Sequence, residues 1–442
     1  MKILFISLGC DKNLVDTEEM LGMLSASGHE FTNDEIEAEI IVINSCCFIN
    51  DAKEESINTI IEMGKYKETG NCKGLIVTGC LAQRYSEEIR EELPEVDALI
   101  GTSSYDEIVK AVEEVSKGQK TEYIGELDKL VDSDCNRVIT TGGHYAHLKI
   151  AEGCNKRCTY CIIPKIRGNY RSVPMEKLIK QAEYLASQGV KELILVAQET
   201  TMYGVDIYGK KSLAKLLKEL CKISGIQWIR IMYCYPEEMD DELIEVIRDE
   251  RKICKYLDMP IQHASDRILK LMGRRTNKEQ LENIIGKLRK EIPDIKIRTT
   301  LISGFPGETQ EDHEILMNFV DEMEFDRLGV FAYSPEEGTP ASEFDNQIDE
   351  EVKEDRKDEI MELQQDIAFY KAEEMIGEVL PVMIEGRIPD ENAYVGRTYM
   401  DAPGIDGNIF ITTDEEMMSG DFCFVKVVGA LEYDLIGEIY NQ

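Results

Sequence analysis

A chain of 442 residues is long for a single hydrophobic core and predicts two or three domains. Its 43% hydrophobic and 31% charged residues exclude a disordered or fibrous protein, and no stretch approaches the ~18 uninterrupted apolar residues of a membrane span. The 86 acidic against 50 basic residues give a formal charge of −36, a field that repels polyanions and favours basic partners. Simple solubility, or a halotolerant host, would produce the same composition.

Residues 1–125 alternate strand and helix patterns. Lys2–Gly9 reads as a buried strand, followed by a helix from about Asp16 to Ser27. Ile40–Asn44, Gly74–Gly79 and Ala98–Gly101 are further strands, with an amphipathic helix at about Glu54–Lys67. This rhythm predicts a doubly wound parallel α/β domain. Cys10, Cys46 and Cys80 each follow an apolar strand directly. In a parallel sheet such loops share the carboxyl edge, where doubly wound folds bind ligands, so the three thiols form a candidate metal site. Cysteine is also a common small buried residue, and Cys47 makes the choice at Cys46 ambiguous.

A polar stretch from about Ser116 to Asn136 reads as a linker, and the division expected is 1–125, a linker at 126–139, 140–370 and 371–442. After the apolar run Leu148–Ala151 come Cys154, Cys158 and Cys161. Thiolates select iron–sulfur clusters and zinc. Zinc wants a fourth ligand nearby, and a thioredoxin-like use of Cys158 and Cys161 leaves Cys154 idle.

The spacing C-x3-C-x2-C after a first strand resembles the radical S-adenosylmethionine enzymes, and the string Glu152-Gly153-Cys154 through Ile166-Arg167-Gly168 resembles their methylthiotransferase branch. The resemblance implies a 4Fe–4S cluster on Cys154, Cys158 and Cys161 that binds S-adenosylmethionine and cleaves it to a 5′-deoxyadenosyl radical. Leu8–Asp16, Asn44–Ile49 and Thr78–Tyr85 resemble the three motifs of that family's amino-terminal domain. They imply a second, auxiliary 4Fe–4S cluster on Cys10, Cys46 and Cys80 that carries the sulfur to be inserted. Cys47 stands where relatives more often have glycine, and Cys46 is assigned by its Asn-x-Cys match.

Six strand–helix units follow, with strands Leu148–Ala151, Leu193–Ala197, Trp228–Met232, Tyr256–Ile261, Ile295–Ile302 and Leu328–Ala332, and helices at about 175–188, 211–222, 237–250, 265–290 and 308–322. Six units suggest an open (β/α)6 partial barrel with its chemistry at the strand carboxyl ends. Gln198, Glu199, Ser303 and Gly304 at those ends are the expected S-adenosylmethionine contacts. Gly304-Phe305-Pro306-Gly307 is equally a turn feeding a helix, and His263 equally a loop histidine with satisfied hydrogen bonds.

An acidic, helix-prone segment at 341–375 reads as a solvated connection. Beyond it, Val379–Ile384, Tyr394–Thr398, Asn408–Ile411, Phe422–Gly429 and Leu435–Ile439 suggest a small β-barrel, which resembles the TRAM domain. From Ile376 to Gln442 thirteen Asp and Glu face three Lys and Arg, a net of −10. A module that neutralises phosphates needs the opposite sign, which argues against bare RNA and for a basic protein.

Tyr394–Gly407, Ala430–Leu435, Asp11–Asp16 and Ile162–Gly168 resemble the ribosomal-protein branch of the family. That implies methylthiolation of the β-carbon of an aspartate in the twelfth small-subunit ribosomal protein, with a second S-adenosylmethionine giving the methyl group and an external electron donor. A tRNA adenosine methylthiotransferase and a non-catalytic iron–sulfur carrier are the alternatives. Thirteen cysteines without a disulfide framework, and a short apolar start soon interrupted by Asp11 and Lys12, point to a reducing cytoplasm. The remaining cysteines, Cys47, Cys72, Cys135, Cys221, Cys234, Cys254 and Cys423, read as structural.

Overall fold

The computed structural model describes residues 1–131, 137–389 and 391–441. Two compact units emerge: Met1–Thr140 with Lys149–Val173 and Ser334–Ser342, and Thr141–Leu148 with Pro174–Tyr333 and Glu343–Gln442.

The first unit is built on a six-stranded parallel sheet in the order Glu30–Phe31, Lys2–Ser7, Ile40–Ser45, Gly74–Gly79, Ala98–Ile100, Thr121–Tyr123. Ile40–Ser45 and Gly74–Gly79 are buried along their whole length, as expected of central strands covered on both faces. The order reverses between Lys2–Ser7 and Ile40–Ser45, so this sheet has its topological switch point there. Thr121–Tyr123 falls inside the stretch read as linker. It is a short, partly exposed edge strand, too polar to signal itself by periodicity.

The first helix spans Asp11–Ala26, five residues earlier than the sequence suggests. Its opening turn buries Lys12, Asn13 and Asp16, with Thr17, Glu18 and Glu19 behind them. A helix whose hidden face is polar shows no apolar period, so its start carries no signal in the sequence.

In the second unit the strand order is Arg327–Ala332, Lys296–Ser303, Ile253–Asp258, Trp228–Ile231, Glu192–Val196, Tyr145–Lys149. The neighbouring pairs from Glu192–Val196 to Arg327–Ala332 are parallel. The helix expected at 265–290 is two helices, Asp266–Leu271 and Lys278–Glu291. Gly273 at φ +73° ends the first, and a capping box of Asn277 and Gln280 starts the second.

The same unit carries the long helix Glu350–Glu374 and a closed five-stranded barrel of Val379–Arg387, Ala393–Thr398, Ile409–Thr412, Leu435–Ile439 and Phe422–Ala430. Val382, Ile384, Tyr394, Ile409, Ile411, Val425 and Val427 fill the barrel. Its Met383 and Ala402 pack with Ile194, Val196, Trp228 and Tyr256 of the open sheet. No helix among the described residues is long and apolar enough to cross a membrane.

Candidate functional site

In the first unit, Cys10 follows Lys2–Ser7 as the residue capping the first helix. Cys46 follows Ile40–Ser45, and Cys80 opens a short helix directly after Gly74–Gly79. The sheet therefore delivers all three thiols to one edge, two of them at the switch point. They adjoin: a Cβ built on Gly9 would lie 2.9 Å from Cys46 Sγ. Burial, assisted by the neighbouring thiols, raises the pKa of both Cys46 and Cys80.

The loops are fixed by side chains. Asn13 Nδ2 donates to Leu8 O and Ser45 O, each at 3.0 Å. Ser56 Oγ accepts from Cys46 N at 3.0 Å and donates to Cys46 O at 2.9 Å. Gly79 sits at φ +92°, where a Cβ would lie 2.3 Å from Asn44 Oδ1 and 2.6 Å from Ser45 O. Only glycine lets the Cys80 loop approach the Cys46 loop this closely.

Cys47 is buried beside this arrangement: its thiol bears on those of Cys46 and Cys80, and burial pushes it up to about 12. Cys46 is the one of the pair whose thiol is influenced by Cys10 and Arg167, with its Sγ 2.9 Å from a Cβ built on Gly9.

The second thiol set also lies in this unit. A two-residue ladder of Ala151–Glu152 with Arg171–Ser172 leads into the loop. Gly153 at φ +78° turns it, its Cβ position only 2.2 Å from Asn169 O. Cys154 N donates to Gly168 O at 3.2 Å, and Cys154 Sγ accepts from Lys156 N at 3.5 Å. Cys154 and Cys158 are buried and Cys161 is partly so. Burial and the Cys158 and Cys154 thiols raise the pKa of Cys161.

Between the sets runs a buried charge network that the sequence did not reveal. Arg167 Nη1 lies 2.8 Å from Asp16 Oδ2 and 3.0 Å from Glu152 Oε2. Arg167 Nη2 donates to Asn13 Oδ1 and lies 3.5 Å from Cys80 Sγ. Lys149 Nζ pairs with Asp16 and, at 3.0 Å, with Glu152. Burial would lower the pKa of Arg167, but Cys80, Glu152 and Asp16 outweigh it and keep the guanidinium charged. The available signal was Lys149, a lone cation in an apolar run, together with Arg167 at the end of a thiol-bearing loop.

The donor chemistry suits iron–sulfur clusters. Cys10 is exposed, and the raised thiols of Cys46, Cys80 and Cys161 become thiolates when a cation supplies compensating charge. Among the described residues no group of His, Cys, Asp or Glu gathers tightly enough for a single metal ion. A cluster spreads its thiolates over different irons and does not ask for that.

In the second unit Gln198 and Glu199 follow the strand Glu192–Val196, and Glu199 is buried with Thr201 Oγ1 donating to it. Ser303 is buried and its hydroxyl donates to Lys353 O at 3.2 Å. Gly304, at φ +69°, packs against Lys353, whose Cγ would lie 2.3 Å from a Cβ there. His263 is fully buried: its Nδ1 accepts from Ala264 N and Ser265 N at 2.9 Å, and Nε2 lies 3.5 Å from Glu308 Oε2. Its Nδ1 is therefore satisfied, while its Nε2 is buried without a hydrogen-bond partner among the described residues.

Of the cysteines read as structural, Cys72, Cys234 and Cys254 are buried, and Cys221 and Cys423 partly exposed. Cys135 lies outside the described residues.

Comparison with known proteins agrees along the whole chain. Residues 2–101 match the Uncharacterized protein family UPF0004, residues 148–320 the Radical SAM superfamily, and residues 376–439 the TRAM domain. The ribosomal protein uS12 methylthiotransferase RimO of Lachnoclostridium phytofermentans is 64% identical over 437 residues, covering 99% of both chains. That of Acetivibrio thermocellus is 53% identical, covering 100% of this chain and 99% of its own. Among solved structures, the radical S-adenosylmethionine methyltransferase TsrM from Kitasatospora setae shares the fold, with a TM-score of 0.55 at 13% identity over 92% of this chain and 80% of its own.

Proposed function

The chain belongs to the ribosomal protein uS12 methylthiotransferase RimO family, and from that premise we propose that it inserts a methylthio group at the β-carbon of an aspartate of uS12. The carrying observation is the presence of two three-thiol sets in one compact unit, each at the end of a strand.

Cys154, Cys158 and Cys161 would hold a 4Fe–4S cluster together with S-adenosylmethionine, and Cys10, Cys46 and Cys80 a second one. When bound, such clusters supply reductive cleavage of the sulfonium and the sulfur to be inserted, chemistry that belongs to the cofactor. The protein contributes placement. Gly153 and Gly79 allow the tight approaches that orient the loops, and the apolar packing of Ile162 and Ile166 keeps water from the base of the Cys161 turn. Gln198 and Glu199 would contact S-adenosylmethionine at the strand ends of the second unit. Ser303 and Gly304, both engaged with Lys353, would shape that end. The working division of the chain is 1–125 for the sulfur-carrying domain, 140–370 for the radical core and 371–442 for the barrel.

Charge supports a protein substrate over tRNA. Of the three basic residues of the barrel, Arg397 is buried against Glu192, leaving Arg387 and Lys426 exposed, while of the thirteen carboxylates in its sequence those of Asp401 and Asp406 are buried against Arg327 and Arg298. Such a surface repels phosphates and attracts a basic ribosomal protein. A cytoplasmic location and an external electron donor complete the reading.

The test is anaerobic reconstitution with iron, sulfide, reductant and S-adenosylmethionine. Formation of 5′-deoxyadenosine by the intact chain, and its absence in Cys158→Ala, is the expected result. An intact, iron-loaded chain that forms none would favour an iron–sulfur carrier.

A further inference from the structure

Asn13 and Arg167 meet at the centre of the amino-terminal thiol set. Through Nδ2, Asn13 ties the loop bearing Cys10, at Leu8 O, to the loop bearing Cys46, at Ser45 O. Its Oδ1 faces the third loop, 3.7 Å from Cys80 Sγ, and accepts from Arg167. Asn44 Nδ2 in turn donates to Asn13 O at 2.8 Å and to Thr17 Oγ1 at 2.9 Å, fixing the turn that carries Asn13. One amide thus touches all three thiol-bearing loops, and it is fully buried.

Arg167 Nη2, bonded to that amide oxygen, reaches the same sulfur beside it at 3.5 Å, and Arg167 is 2% exposed. Its charge sits in a buried cluster: Arg167 and Lys149 face Asp16 and Glu152, with Glu19 bearing on Lys149 as well. Asp16 and Glu152 hold Nη1, and Nη2 is directed to Asn13 Oδ1 and Cys80 Sγ together. Hydrogen bonds to ligand sulfurs and nearby charge are the levers by which a protein sets the potential of an iron–sulfur cluster.

We propose that Asn13 and Arg167 are positioning residues of the Cys10–Cys46–Cys80 centre: Asn13 sets the spacing of its three loops, and Arg167 donates to the Cys80 sulfur and thereby raises the reduction potential of the cluster held there. This rests on the proposed function, which assigns a cluster to those thiols.

The full-length chain carrying Cys154→Ala, Cys158→Ala and Cys161→Ala isolates the amino-terminal centre. After anaerobic reconstitution with iron and sulfide, its iron content and an electron paramagnetic resonance redox titration are read for this parent, and for the parent with Arg167→Met, Arg167→Lys or Asn13→Ala. A parent that binds no iron contradicts the cluster assignment itself, whatever Arg167 does. Given an iron-loaded parent, the expected results are a midpoint potential shifted to more negative values in Arg167→Met and Arg167→Lys, and faster loss of iron to a chelator in Asn13→Ala. Arg167→Lys keeps the charge between Asp16 and Glu152, so it reads the sulfur contact even if Arg167→Met fails to fold. A potential unchanged in Arg167→Lys, or iron retention unchanged in Asn13→Ala, overturns the inference.

Discussion

Glu192 Oε2 and Arg397 Nη2 lie 2.5 Å apart, fully buried, and join the open sheet to the carboxy-terminal barrel across 205 positions of sequence. The other oxygen of Glu192 lies 2.8 Å from Arg230 Nε. Arg230 Nη1 donates to Tyr399 O at 2.7 Å, and Arg397 Nε to Glu385 Oε1 at 3.0 Å. One carboxylate therefore compensates two buried guanidiniums. Glu192→Ala leaves both without that partner, and loss of one member of a buried ion pair costs about 3–5 kcal/mol. Chemical denaturation should show a midpoint lowered accordingly.

The same pair fixes a sign for pH. Burial would raise the pKa of Glu192, but Arg397 and Arg230 hold it below the ordinary value. A depressed carboxyl pKa contributes stability that is present above the unfolded value, about 4.3, and is lost as pH falls from there through the folded value. The stability gap between wild type and Glu192→Ala should narrow on acidification below about pH 4, as read by denaturation at a series of pH values.

Gly79→Ala forces a side chain into a region of φ open almost only to glycine, against Asn44 Oδ1 and Ser45 O. Strain of this kind costs roughly 1–3 kcal/mol. It should also part the Cys46 and Cys80 loops. Iron bound per chain should fall while the circular dichroism of the folded chain persists.

Under the proposed division of tasks between the two thiol sets, Cys10→Ala should abolish methylthiolated product while 5′-deoxyadenosine formation continues. Cys47→Ala should leave iron content and product unchanged, since Cys46 is the ligand proposed from this loop. Mass spectrometry of product and iron analysis check both.

The two three-thiol sets were legible as candidates because cysteine spacing after a strand carries its own chemistry, and the parallel sheet places Cys10, Cys46 and Cys80 on one edge. The strands were legible as apolar runs. What was hidden is polar and buried. The helix start at Asp11 and the assembly of Asn13, Asp16, Lys149, Glu152 and Arg167 depend on pairings across more than a hundred residues, which no local period encodes. Ser303 and Gly304 read as open donors at a strand end, yet the helix Glu350–Glu374 covers them through Lys353, a packing that their own neighbours in sequence do not announce.

An acidic chain acting on a basic protein should lose association rate with ionic strength, because screening shortens the reach of its field to about 10 Å at 0.1 M salt. Initial rates at subsaturating substrate should fall steeply between low and physiological salt, with the maximal rate much less affected.

The most direct measurement offers the reconstituted chain small ribosomal subunits and undermodified tRNA side by side, with S-adenosylmethionine, reductant and sulfide, and reads both by mass spectrometry. The account predicts a methylthio gain on an aspartate of uS12 and none on tRNA. A gain on adenosine, with uS12 unchanged, would contradict it.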